Sequence, residues 1–86
     1  MVRDEIISRV NSAILREFDV EAEALKPEAR LGEDLGLDSL DGIDLVIAIE
    51  KEFREFGIKV KEEQARRLTT LGAVYDYIEA LVAAAK

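Results

Sequence analysis

The chain's pattern predicts an all-α fold: a small four-helix bundle of three main helices plus one short helix, with a long loop between helices 1 and 2. Three observations predict it. Apolar residues recur at helical spacing in three separate stretches. No segment alternates apolar and polar residues with the period of a strand. Helix punctuation falls where the stretches begin and end, with Asp38 and Thr69-Thr70 ahead of apolar runs and Gly57 behind one. A length of 86 residues leaves room for one domain, spanning 1–86.

The first helix is expected from Arg3 to Phe18, where Ile6, Ile7, Val10, Ala13, Ile14 and Phe18 form one stripe. Asp4 and Glu5 suit the positive end of its dipole. Residues 19–37 contain Pro27, Gly32 and Gly36 with leucines at no single period, so they read as a long loop. Leu25, Leu31, Leu35 and Leu37 are positioned to pin that loop to the core, and a short helical turn is expected around Ala22–Leu25. Asp38 is a natural N-cap for a second helix running to about Phe53 or Phe56. Asp41, three residues on, can return the bond as the second half of a capping box, and Gly57 stops the helix. A short third helix is expected from Glu62 to Leu68, contributing Ala65 and Leu68. The fourth follows Thr69-Thr70 and buries Leu71, Val74, Tyr75, Ile78, Leu81 and Val82.

The second helix has two apolar faces. On a wheel of roughly 100° per residue, Gly42, Leu45, Val46, Ile49 and Phe53 cluster on one side, with Gly42 allowing close approach. Leu40, Ile43 and Ile47 form a narrower stripe about 140° away. A helix buried all round is rare in so small a bundle. The stripe therefore reads as an exposed docking strip, with Asp44 and Lys51 on one border and Glu50 on the other.

Composition narrows the chemistry. The chain has no Cys and no His, which removes disulfides, thiolate nucleophiles and the usual zinc ligands. No metal site is expected. The acids Asp38, Asp41 and Asp44 cluster, but an EF-hand register that puts Gly42 at the loop's sixth position places Leu37 first and Ala48 twelfth, so the pattern fails. No nucleophile–base pair is legible, and no catalysis is expected. The formal net charge is −7, and residues 28–52 hold eight acids against two bases. Such a surface repels nucleic acid and anionic membrane and favours basic protein partners. The charged N-terminus and the lack of a long apolar run make the cytoplasm the expected location, without membrane insertion. A monomer is the expected state.

Ser39 stands in the first turn of the second helix, beside the strip and among acids. Helix N-terminal N–H groups and the dipole favour a phosphate-type anion there, while Asp38 and Asp41 oppose one. Attachment of a group is permitted by this placement and not required by it. A serine in a first turn also serves simply as a favourable terminal residue.

The run Leu31-Gly-Glu-Asp-Leu-Gly-Leu-Asp-Ser-Leu-Asp41, followed by Leu45-Val-Ile-Ala-Ile-Glu-Lys-Glu-Phe53, resembles the phosphopantetheine-attachment segment of acyl carrier proteins. That family's signature is Asp-Ser-Leu at the start of its second helix, commonly followed by an acid. Looser likeness extends to residues 67–71 and 75–78. The resemblance implies that Ser39 receives 4′-phosphopantetheine from coenzyme A by way of a phosphopantetheinyl transferase. The arm's thiol would carry acyl intermediates of fatty acid, polyketide or related biosynthesis as thioesters. It further implies that Asp38, Asp41, Asp44, Glu50 and Glu52 face basic patches on acyl-loading and acyl-transferring enzymes, with Leu40, Ile43 and Ile47 as the apolar contacts.

The sequence departs from the family's pattern in places. Lys51 occupies a position where another acid is typical, residues 54–60 make a longer connection, and Lys61 replaces a common Pro. Aminoacyl or D-alanyl carriers share the fold and stay open as an alternative. An aspartate before Ser39 and another after Leu40 favour acyl or polyketide cargo over the Gly-His-Ser pattern of peptidyl carriers. A further alternative is an unmodified acidic adaptor that binds proteins through the same strip.

Overall fold

The computed structural model describes residues 2–85. Among the described residues there are four α-helices, α1 Arg3–Glu17, α2 Ser39–Glu52, α3 Glu62–Ala65 and α4 Leu71–Ala84, with 3₁₀ turns at Ala22–Ala24 and Arg54–Phe56. There is no strand among the described residues, as the absence of period-two alternation predicted. α1 packs on α2 and α4, and α3 rests on α2.

α1 buries Ile6, Val10, Ala13 and Ile14, the residues of its expected stripe, while Ile7 and Phe18 are half-buried at the edge of the core. Its end is an extended Phe18 whose N–H still reaches Ile14 O. α4 starts on Thr70, whose hydroxyl accepts from Ala73 N at 3.2 Å. That bond satisfies one of the orphan donors of the first turn. Leu71, Val74, Tyr75, Ile78 and Val82 face inward. Tyr75 is buried almost completely, and its hydroxyl donates to Asn11 Oδ1 at 2.5 Å, so the ring packs without stranding its polar tip. Burial raises the phenol's pKa against the opposing pull of that bond.

The long loop is anchored at the start of α4. Leu31 N donates to Thr69 O at 3.0 Å, Leu71 N to Ala29 O at 2.9 Å and Gly72 N to Pro27 O at 2.8 Å, forming an isolated antiparallel bridge between Arg30 and Thr70. Ala29 and Leu35 are buried beneath it. A loop of this length is stable here because its backbone donors and carbonyls find partners in the protein. Gly72 makes that approach possible: a Cβ on it would lie 3.0 Å from Pro27 O. The expected turn near Ala22 is the first 3₁₀ turn.

Three expectations need correction. Gly42 was expected to permit close packing, but a Cβ there would meet nothing within 4 Å, because it points past the neighbouring elements. Ala48, left out of the inward stripe, is buried, whereas Val46 is only half-buried. α3 ends at Ala65 rather than Leu68, and residues 66–68 continue as a turn that still packs Leu68 against the core. α2 itself ends at Glu52, and Gly57, at φ 62°, closes the 3₁₀ turn that follows. Only a left-handed residue turns the chain sharply there, which is why glycine stands at that point.

Candidate functional site

α2 begins on a complete capping box. Asp41 N donates to Asp38 Oδ1 at 2.9 Å and Asp38 N donates to Asp41 Oδ2 at 3.1 Å. Gly42 N donates to Asp38 O at 3.0 Å in the first intrahelical bond. The N–H groups of Ser39 and Leu40 therefore remain as the open donors of the first turn. Ser39 is exposed. Its hydroxyl thus stands in the positive field of a helix start, beside free backbone donors that fit the oxygens of a phosphodiester. The reciprocal bonds of Asp38 and Asp41 hold their carboxylates against each other's backbone, which tempers their opposition to such an anion.

Leu40, Ile43 and Ile47 are 72%, 48% and 47% exposed, so the second apolar stripe of α2 faces away from the core. These three residues account for most of the large exposed apolar side chains among the described residues. Asp44 is exposed beside them, and Asp38 and Asp41 stand at the Ser39 end.

The two glutamates at the far end of α2 are placed differently. Glu50 is half-buried, and its Oε2 accepts from Val60 N at 2.9 Å. Glu52 was expected to face partners, and this is corrected: its carboxylate turns toward α1, where Arg16 Nη2 reaches it at 2.6 Å and Arg9 Nε at 3.0 Å. Arg9 also holds Glu55 at 2.9 Å, donates to the Glu52 carbonyl, and lies 4.7 Å over the Phe53 ring. The bond from Arg16 and then that from Arg9 hold the Glu52 carboxyl below its ordinary range. The helical period carries Glu52 round to the α1 side, and two arginines projecting from α1 capture it.

Between α2 and α3 lies a groove of about 1130 Å³, open to solvent, with Ser39 on its rim. Leu31, Leu37, Val46, Ala65, Leu68 and Val74 line it, together with Tyr77 from α4. Sequence reasoning placed none of these in a site, because they come from five separate segments and share no local pattern.

Comparison with known proteins bears on this site directly. The family model described as "Phosphopantetheine attachment site" matches residues 8–78. The acyl carrier protein of Thermosynechococcus vestitus is 38% identical over 84 residues, covering 98% of this chain and all of that protein. Among solved structures, the acyl carrier protein of Enterococcus faecalis, described for its high thermal stability, superposes with a TM-score of 0.72 at 32% identity. That match covers 94% of this chain and 99% of the other. A phosphopantetheine-attachment domain, carried on a four-helix bundle and related to acyl carrier proteins along its whole length, makes this chain a member of the acyl carrier protein family.

Proposed function

We propose that this chain carries acyl intermediates as thioesters on a 4′-phosphopantetheine arm joined to Ser39 Oγ, and that it presents them to partner enzymes through the N-terminal half of α2. The observation that carries this reading is an exposed hydroxyl in the first turn of a helix, on the rim of an apolar groove. When attached, the group supplies a thiol to a chain that has no Cys. The N–H groups of Ser39 and Leu40 would hold its phosphate.

The lining of the groove favours hydrocarbon cargo of the fatty-acyl or reduced polyketide kind. An aminoacyl or D-alanyl cargo would bring an ammonium group into a largely apolar space and lose its hydration there. Partners in this reading are a phosphopantetheinyl transferase and acyl-loading and acyl-transferring enzymes with basic patches. Asp38, Asp41 and Asp44 steer them, and Leu40, Ile43 and Ile47 supply the contact. Chemistry on the cargo belongs to those enzymes.

The test is a weighing. The purified chain is incubated with coenzyme A and a broad-specificity phosphopantetheinyl transferase, then its mass is measured. One phosphopantetheine is expected on the wild type and none on Ser39→Ala, with helicity unchanged. A wild type that gains no mass would favour the unmodified adaptor, and a modified Ser39→Ala would move the attachment elsewhere.

A further inference from the structure

The exposed strip of α2 does not end with its apolar residues. On a wheel of roughly 100° per residue, Lys51 lies within about 20° of both Leu40 and Asp44. It stands about 10 Å beyond Asp44 along the helix axis. Arg54 follows in the 3₁₀ turn, and the bond from Val60 N to Glu50 Oε2 at 2.9 Å draws Lys59 and Lys61 to the same end of the helix. All four cations are exposed, and none has a carboxylate within ion-pair distance among the described residues. Acids do stand at the spacing that would neutralise them. Glu55 is four residues from Lys51 and Glu50 is four from Arg54, the ordinary separation of a helical ion pair. Glu55 is held instead by Arg9 at 2.9 Å, and Glu50 by the Val60 N–H. The fold commits the local counter-charges elsewhere and leaves the cations open.

We propose that Lys51 and Arg54, flanked by Lys59 and Lys61, form a second, positive pole of the docking strip, and that its occupant is a partner protein whose basic patch is followed, about 10–20 Å away, by an acidic one. This rests on the reading that the Ser39 end of α2 docks basic partner surfaces. Charge complementarity selects the occupant. A chain with a net charge of −7 has no need of free cations for solubility. An anionic bilayer laid along the strip would set the same negative charge against Asp44 as against Lys51. A protein surface can reverse sign over that span, which exceeds the screening length of about 8 Å at physiological salt, so each pole is matched separately. Opposite poles also fix direction. A partner lying the wrong way round along α2 would bring like charges together, and that repulsion excludes it.

The experiment titrates the whole chain, labelled for amide NMR, with three peptides at low salt: an oligolysine, an oligoglutamate, and a diblock that joins the two by a spacer of about 15 Å. Oligolysine is expected to shift the amide signals of residues 38–44, and oligoglutamate those of residues 51–61. The diblock should shift both sets and bind at least about tenfold more tightly than either block alone. In the double variant Lys51→Gln/Arg54→Gln, the diblock should fall to the affinity of oligolysine, while the oligolysine shifts stay as in wild type. Lys51→Arg/Arg54→Lys, which keeps both charges, should restore the diblock. A diblock no tighter than oligolysine on the wild type would overturn the second pole, as would a double variant that binds it undiminished. Capture of the wild type, and not of the double variant, by phosphatidylglycerol vesicles would overturn the protein occupant and give the cations to a membrane. None of these readouts needs a group on Ser39, so they succeed or fail separately from the weighing that tests carriage.

Discussion

Acidic side chains are engaged differently at the two ends of α2. At the Ser39 end, none of Asp38, Asp41 and Asp44 has an arginine or lysine within ion-pair distance among the described residues. Asp38 and Asp41 instead cap the helix through each other's backbone N–H, and Asp44 is exposed to solvent. At the far end, Glu52 is held by Arg16 and Arg9, Glu55 by Arg9, and Glu50 is spent on the Val60 N–H. Lys51 is exposed there, so the far end of the helix presents a cation where the near end presents anions. An acid count along the helix would have spread the docking surface over its whole length. The arginines of α1 engage Glu52 and Glu55 within the fold, and in the docking proposed above a charge so engaged is a weaker lure for a partner.

The largest expected effect tests whether the far end is an anchor. Phe53 is wholly buried under the Arg9 guanidinium, and Phe53→Ala should lower the unfolding free energy by about 3–5 kcal/mol in a denaturant melt. A loss as small as that of a surface substitution would break the contrast between the two ends. Glu52→Gln should cost about 1–2 kcal/mol at neutral pH, since its side chain is only 17% exposed and faces two cations.

The same pairing gives a pH signature. The Glu52 carboxyl is held below its ordinary value of 4.5 in the folded state, so it stabilises the fold above that value. The contribution is lost as pH falls through the lower folded value. Wild type should therefore lose its advantage over Glu52→Gln below about pH 4.5, as read by melts across an acid series. An advantage that stayed constant into acid would remove the ionic explanation.

Substitutions at the Ser39 end should leave the fold intact or improve it. Gly42→Ala should stabilise by about 0.5–1 kcal/mol, because the helix gains a better former and the new methyl meets no neighbour. Gly72→Ala should destabilise, since its methyl would press on Pro27 O. The two alanine variants, run side by side in one melt, separate a glycine required by packing from one that is not. Asp44→Lys should change stability by less than about 0.5 kcal/mol. Its effect should fall instead on the rate of phosphopantetheinyl transfer, slowed about two- to fivefold at low salt and converging with wild type as salt rises. Equal rates at every ionic strength would detach the near end from docking.

Local pattern made most of the helical frame legible. The α1 stripe, the Asp38–Asp41 capping box, the Thr70 cap and the left-handed Gly57 are all short-range devices, decided within a few residues of where they stand. The outward strip of Leu40, Ile43 and Ile47 was readable for the same reason, since a wheel needs only the helical period. The misreadings arose where a neighbour from elsewhere in the chain intervened. Glu52 was assigned to docking because no pattern on α2 reveals that Arg9 and Arg16 project toward it. Gly42 was assigned to packing because a wheel shows which way a residue points and not what stands opposite.

By itself, the amino-acid order determined where helices start and stop, which faces are apolar, and that a serine stands at a capped helix start among acids. Tertiary structure decided which acids stay free, how the long loop is held against the start of α4, and that Leu31, Val46, Leu68 and Tyr77 meet in one groove. The division follows from range. Capping and periodicity act over three or four residues, whereas an ion pair between α1 and α2 or a groove with walls from five segments exists only after distant stretches have packed together.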